Sequence, residues 1–513
     1  MSAMEELQAR IGEINDLLNT INLLNWDART QMPPGGAETR GMQLATMSRI
    51  VQERITSEAL AQCLARAEQE AQGGDPDSYA VRAVRQTRAA VDVARRIPPD
   101  LPSQVATLEP TMIQVWGEAR AANDFERYAP YLERMVGLQR AMADAIGYQA
   151  HPYDALLLKY EPGMTVARLR ALFAELKGAT LPLLKQIQAH GDVVDGSFLE
   201  REYPEEQQRT FALEVSRAFG YDLRRGRLDI SAHPFEVSFT RNDVRITTRY
   251  NRRYLPAAIF GLFHETGHAL YEQGVDPALT RTALATDLLG RYAVGGVTYG
   301  AHESQSRLWE NLVGRSRSFW ARHFPRLREV FPEQLSGVDA EQFYLAVNRV
   351  RPSYIRVEAD ELTYNFHILL RVEIESALLD GSLAVRDLPG AWNSKMQEYL
   401  GVTPPDDTRG VLQDIHWAHG LFGSFCTYTV GNIISAQLFA AARARVPGLD
   451  TALAAGDYGG LRAWLTENFY RHGRAYSVDE LLTRATGKPL GTADYLEYLR
   501  GKFTDVYGIA GAA

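Results

Sequence analysis

The sequence predicts a mainly helical protein with one small β-hairpin. Two observations carry this. Apolar residues recur at helical spacing through most of the 513 residues, and only the stretch from Phe235 to Arg249 alternates apolar and polar side chains instead. A third observation, the placement of breakers at Pro98-Pro99, Pro152 and Pro162-Gly163, divides the helical pattern into segments.

In order, residues 4–24 read as an amphipathic helix ending near Trp26-Asp27, followed by a break at Met32-Pro33-Pro34-Gly35-Gly36. One or two helices follow over 37–72, closed by Gly73-Gly74-Asp75-Pro76. Residues 77–95, 103–122, 124–147 and 165–190 continue the pattern. In the hairpin, 235–240 and 243–249 are joined by Arg241-Asn242; Asp243, Arg245 and Thr247 share one face, Val244 and Ile246 the other. Such a strand edge serves either to hold an extended peptide or as a purely structural element. Pro256 to about Gln273 reads as one buried helix, with proline in its first turn and Gly274 as its stop. A further helix surrounds Glu303, and another is expected from about Ser353 to Leu379. The length exceeds what one core supports, so the chain reads as one catalytic unit, 1–513, softly divided near 191–205 into an N-terminal helical part and a C-terminal part.

Composition is that of an ordinary soluble protein: 45% hydrophobic and 23% charged, with net charge −8. A nucleic-acid partner would leave a basic footprint, which is missing. Cys63 and Cys426 are too far apart and too few for a disulfide framework or a thiolate metal site, so reduced intracellular thiols are expected. The acidic N-terminus lacks the basic start and apolar core of a signal peptide. No apolar stretch approaches the ~20 residues needed to span a bilayer. The expectation is a cytoplasmic enzyme with no membrane partner.

The run His264-Glu265-Thr266-Gly267-His268 fixes the chemistry most tightly. On a helix, positions i and i+4 lie one above the other, so two imidazoles can grip one metal ion. Glu265 lies about 100° around the helix from His264, beside the metal but not bound to it. A metal-activated water needs such a neighbour to take its proton. This is the zinc-peptidase signature.

Zinc in a hydrolase usually takes three protein ligands. The acidic candidates after His268 are Glu272, Asp276, Asp287, Glu303 and Glu310. Glu272 shares the histidine helix, where three stacked ligands would lie too far from one ion. Tyr271 and Gly274 stand where a metzincin would need glycine and a third histidine, which excludes that class. Glu303 is preferred and Glu310 is the alternative; Arg307 and Glu310 follow Glu303 at helical spacing and are placed to orient its carboxylate.

At this point the chain resembles the thermostable (Taq-type) zinc metallocarboxypeptidase family. The likeness lies in Asp243-Val244-Arg245-Ile246-Thr247, His302-Glu303-Ser304-Gln305, Ile355-Arg356-Val357-Glu358-Ala359-Asp360, the stretch Gly410 to Trp417, and Thr427-Tyr428-Thr429-Val430-Gly431-Asn432. Leu24-Asn25-Trp26-Asp27 with Met32-Pro33 adds to it. The resemblance implies a largely helical, zincin-type, neurolysin-like body with a deep active-site groove. It implies removal of single residues from peptide C-termini with broad tolerance, a zinc or cobalt ion, and a homodimer. On the matching positions, His264, His268 and Glu303 would hold the metal and Glu265 would act as general base. Two departures stand out. His268 and Glu303 are 35 positions apart, longer than expected, with Leu288 to Tyr292 and Gly295-Gly296 the unusual parts of 277–300. Cys426 stands where proline is expected.

An oxyanion needs a donor, and His416 and Tyr428 are the candidates. An exopeptidase must also bind a free carboxylate, which a planar guanidinium matches. Arg356 is the first choice and Arg245 the second, with Asp243 and Gln413 assigned to the same substrate-binding set. Against this stands an ordinary i,i+4 pair between Arg356 and Asp360. A zinc endopeptidase or oligopeptidase on a similar helical scaffold is the alternative activity.

Overall fold

The computed structural model describes residues 2–191, 194–291 and 294–509. The helical expectation holds, with one three-stranded sheet. The chain forms two compact units. The first combines Met1–Ala94, Val194–Val347 and Gly431–Gly491; the second combines Arg95–Val193, Asn348–Val430 and Thr492–Ala513. The chain passes between them at 94/95, 193/194, 347/348, 430/431 and 491/492.

In the first unit, the helix Ala3–Thr30 opens with a capping box in which Ser2 Oγ accepts from Glu5 N–H and the Glu5 carboxylate accepts from Ser2 N–H. Its apolar stripe, Leu7, Ile11, Ile14 and Leu18, packs on Val51, Ile55, Leu60 and Leu64. The helix runs past Trp26 because nothing breaks it before Pro33.

The expected hairpin is present as β2 (Glu236–Thr240) and β3 (Asp243–Thr248), antiparallel across Arg241-Asn242. A further strand, β1 (Gly226–Ile230), pairs in parallel with β3, giving the order β1-β3-β2. Its sequence, Gly-Arg-Leu-Asp-Ile, is too short and too charged to signal a strand alone. Val244 and Ile246 of β3 are fully buried against Leu262 and Ala269. The sheet is therefore a platform beneath the helix Leu255–Gly274, which begins with Pro256 in its first turn as expected.

That helix is crossed by a second, Tyr299–Arg307, whose N-cap Thr298 accepts from Ala301 N–H. Over Leu308–Val313 the second helix widens into a π turn, a distortion found mostly at functional sites. The crossing is close because Gly267 has no side chain. A Cβ there would lie 2.3 Å from the Gln305 carbonyl oxygen and 2.6 Å from Ser306 Cα.

In the second unit, the long helix expected from Ser353 is shorter and begins later, at Tyr364, running to Asp380. Arg356 sits instead in a single 3₁₀ turn, Arg356–Glu358. The cause is Asp360. Its carboxylate accepts from the N–H groups of Arg351, Leu362 and Thr363 and from the Thr363 hydroxyl, which folds 351–363 into a turn. Asp360 is thereby occupied, and the i,i+4 pair with Arg356 weighed as the alternative does not form.

Gly267→Ala should force the crossing helices apart and cost about 1–3 kcal/mol, the usual penalty for overpacking. Thermal unfolding of the metal-free variant checks this; an unchanged transition would mean that the crossing tolerates a methyl group.

Candidate metal centre

The helix Leu255–Gly274 presents His264 and His268 one turn apart, and the crossing helix brings Glu303 to them. His264 Nε2 and His268 Nε2 are 3.3 Å apart, and Glu303 Oε2 lies 3.5 Å from the first and 3.3 Å from the second. Ligands bound tetrahedrally at ~2.0–2.1 Å stand roughly 3.3–3.4 Å from one another. The three donor atoms therefore fit one such ion, with a fourth position left for solvent or substrate. Among the described residues, no other His, Cys or carboxylate cluster has this convergence.

The surroundings set the charge of each group. Glu303 Oε1 accepts from Arg307 Nε at 2.7 Å and Oε2 accepts from the Ser306 hydroxyl. Burial pushes the Glu303 pKa up, but Arg307 and the two histidines outweigh it and hold the carboxyl well below its usual range. Gly431 closes the other side; a Cβ there would meet Glu303 Cγ at 2.8 Å. Burial lowers His268 to about 3, so its ring is neutral and able to ligate. Glu265 is 6% exposed and its carboxyl is pushed up to about 7, chiefly by burial, with His264 opposing. It is not one of the three converging donors.

Glu310, the alternative ligand, faces the other ring nitrogen. Its Oε2 lies 3.0 Å from His264 Nδ1 and its Oε1 accepts from Arg315. Burial opposes ionisation, but the His264 hydrogen bond, Arg307 and Arg315 bring Glu310 down to about 2. Of the two orienting roles expected around Glu303, Arg307 takes its own; Glu310 orients His264 instead. The other acidic candidates are engaged elsewhere. Glu272 accepts from Gly295 and Gly296, Asp276 caps a short turn, and Asp287 caps another while pairing with Arg474.

Among its described residues, the unusual stretch 277–300 contains two 3₁₀ turns and the start of the helix Tyr299–Arg307, and it is tied to the N-terminal helix by Asn15 on Thr286 and Arg281 on Asp16. Tyr292 lies outside the described residues. On the sheet, Asp243 and Arg245 bond each other at 2.9 Å and Arg245 lies 4.4 Å over Trp26. That pair is self-neutralised.

The second unit holds a separate charged cluster. Arg356 and Arg371 share the buried carboxylate of Asp414; Arg356 Nη2 to Oδ1 is 2.9 Å and Arg371 Nε to Oδ2 is 2.7 Å. The Gln413 side-chain oxygen accepts from Arg356 N–H and from Arg371 Nη2. Burial resists the charge on Asp414, yet the two guanidiniums hold its carboxyl far below the usual range. Arg371 is pulled down to about 10, mainly by burial. His416 Nε2 is 3.2 Å from the Tyr428 hydroxyl, and burial aided by Arg356 lowers His416 to about 3. Cys426 opens the helix Cys426–Arg445, with its Sγ 3.4 Å from the Gly423 carbonyl oxygen. Sequence reasoning passed over Arg371, Asp414 and His302. Asp414 and His302 stood inside quoted motifs; Arg371 had no local signal.

A helix-borne imidazole pair, a carboxylate from a crossing helix and a free acid beside them define a metallopeptidase centre. The comparisons narrow the class. The model of the carboxypeptidase Taq (M32) metallopeptidase family matches residues 6–503. Thermostable carboxypeptidase 1 of Thermus thermophilus is 44% identical over 496 residues, 95% of each chain, and carboxypeptidase 1 of Bacillus subtilis is 38% identical over 96% of this chain and 98% of that one. The crystal structure of the M32 carboxypeptidase from Deinococcus radiodurans R1 superposes with a TM-score of 0.94 at 42% identity, covering 99% of this chain and 100% of that one. Trypanosoma cruzi metallocarboxypeptidase 1 superposes at 0.91 with 32% identity, over 98% and 99%. The chain belongs to the carboxypeptidase Taq (M32) metallopeptidase family and is a metal-dependent carboxypeptidase.

Asp414→Asn removes the shared counter-charge of two buried guanidiniums and should destabilise the protein by about 3–5 kcal/mol. Denaturant unfolding followed by tryptophan fluorescence measures it; a loss below about 1 kcal/mol would show that Arg356 and Arg371 do not depend on Asp414.

Proposed function

We propose that the protein releases single amino acids from peptide C-termini with broad side-chain tolerance, acting with one zinc ion per chain that cobalt can replace. The observation that carries this reading is the convergence of His264, His268 and Glu303 with Glu265 beside them. Two neutral-capable imidazoles and one carboxylate suit zinc or cobalt better than magnesium or calcium, which prefer oxygen alone. When bound, the ion supplies Lewis acidity toward the scissile carbonyl and toward the attacking water.

Glu265 takes one proton from that water as its oxygen bonds to the carbonyl carbon. It then returns the proton to the departing amine as the C–N bond breaks. Its carboxyl, raised by burial, is near neutrality and able to serve in both directions. Tyr428, hydrogen-bonded to neutral His416, donates to the oxyanion that develops on the carbonyl. Arg356 takes the terminal carboxylate, held by Asp414 and Gln413 and lying 5.1 Å over the Tyr428 ring. Arg245 is neutralised one to one by Asp243, whereas Asp414 is shared by Arg356 and Arg371 and leaves that cluster net positive, which supports Arg356 over Arg245 for this role; Asp243 and Arg245 stay in the proposed substrate-binding set. A cytoplasmic setting is supported by the two free, buried cysteines, and among the described residues no helix is long and apolar enough to cross a membrane. The homodimer rests on the family resemblance.

Three experiments test this. Amidating a peptide's C-terminus should abolish its turnover; equal cleavage of both forms would favour the endopeptidase. Arg356→Ala should raise KM or lower kcat steeply on free-carboxylate peptides, and unchanged kinetics would remove it from the site. Glu265→Gln should keep the metal and lower kcat by about 10²–10⁴, whereas turnover at the unaltered rate would refute the assigned base.

A further inference from the structure

We infer that Glu272 and His302, fastened by the Gly295 and Gly296 N–H groups, form a positioning relay that orients His268 toward the metal. The inference rests on the reading of His264, His268 and Glu303 as the ligands.

The relay is continuous, with Glu272 buried and the two imidazoles half-buried. Glu272 accepts from Gly295 N–H at 2.9 Å and from Gly296 N–H at 3.1 Å. Its Oε1 lies 3.1 Å from His302 Nε2, and His302 Nδ1 lies 2.6 Å from His268 Nδ1. The His302 ring lies nearly parallel to those of His268 and Tyr271, with interplanar angles of 18° and 19°. Glu236, the other acid facing His302, stands farther off at 3.9 Å.

The direction of each hydrogen bond follows from donor chemistry. A carboxylate only accepts, so His302 Nε2 donates to Glu272. Two facing ring nitrogens need one donor and one acceptor, and with Nε2 donating, His302 Nδ1 is the acceptor. His268 Nδ1 must therefore donate, which leaves the lone pair on Nε2, the atom turned toward His264 and Glu303. His264 reaches the same state directly through Glu310. The two ligands are thus backed differently, and the stretch 277–300 contacts the metal centre through Glu272.

Zinc itself is the probe, by chelator competition on wild type, Glu272→Gln, Glu272→Ala and His302→Phe, with thermal unfolding of each metal-free protein. Glu272 Oε1, the atom that meets His302 Nε2, also accepts from Gly295 and Gly296 N–H, so in Glu272→Gln the amide oxygen keeps that place and His302 keeps an acceptor. The expected result is zinc affinity about 10–100-fold weaker in His302→Phe and Glu272→Ala, with Glu272→Gln closer to wild type. If one of the two impairs folding of the metal-free protein, the affinity of the other decides. Affinity within twofold of wild type in both, or glutamine as harmful as alanine, overturns the relay. Zinc binding by wild type that survives His264→Ala would instead overturn the ligand assignment itself.

Discussion

The first unit depends on keeping ionised carboxylates out of water at the crossing of two helices. Glu303 and Glu310 are both buried, and each would be protonated or expelled without compensation. Arg307, four positions after Glu303, and Arg315, five after Glu310 across the π turn, supply it together with the two imidazoles. The chain thus spends its buried cations on holding negative charge where a divalent ion would sit. Gly267 is the geometric condition for this, because any side chain there would separate the helices.

The same site treats two acids in opposite ways. Glu303 touches Arg307 and both histidines and is held far below its usual pKa; Glu265, with His264 as its main counterweight, is raised by burial to about 7. One is fixed as an anion and can ligate. The other sits near the point where it can gain or lose a proton. Environment, rather than residue type, sets the two carboxyls apart.

Much of this was legible in the sequence. The i,i+4 imidazoles, the intervening Glu265 and the helix beginning at Pro256 follow from local spacing alone. Glu303 was preferred, with Glu310 left as the alternative, from the crossing-helix reading of its segment and from the family resemblance. Less legible were features that need a distant partner. β1 exists only because β3 offers it an edge, and Arg356 leaves the helix because Asp360 turns the backbone. The sharing of Asp414 joins residues 43 and 58 positions away in the chain. Glu310 at a histidine's far nitrogen, and His302 between His268 and Glu272, likewise arise from packing and not from any sequence period.

The most direct test of the account is anomalous diffraction at the zinc edge from metal-loaded crystals. The account predicts one peak per chain, about 2.0–2.2 Å from His264 Nε2, His268 Nε2 and one oxygen of Glu303, with Glu265 and Glu310 outside bonding distance. A peak ligated by Glu310 in place of Glu303, or one away from the paired imidazoles, would contradict it.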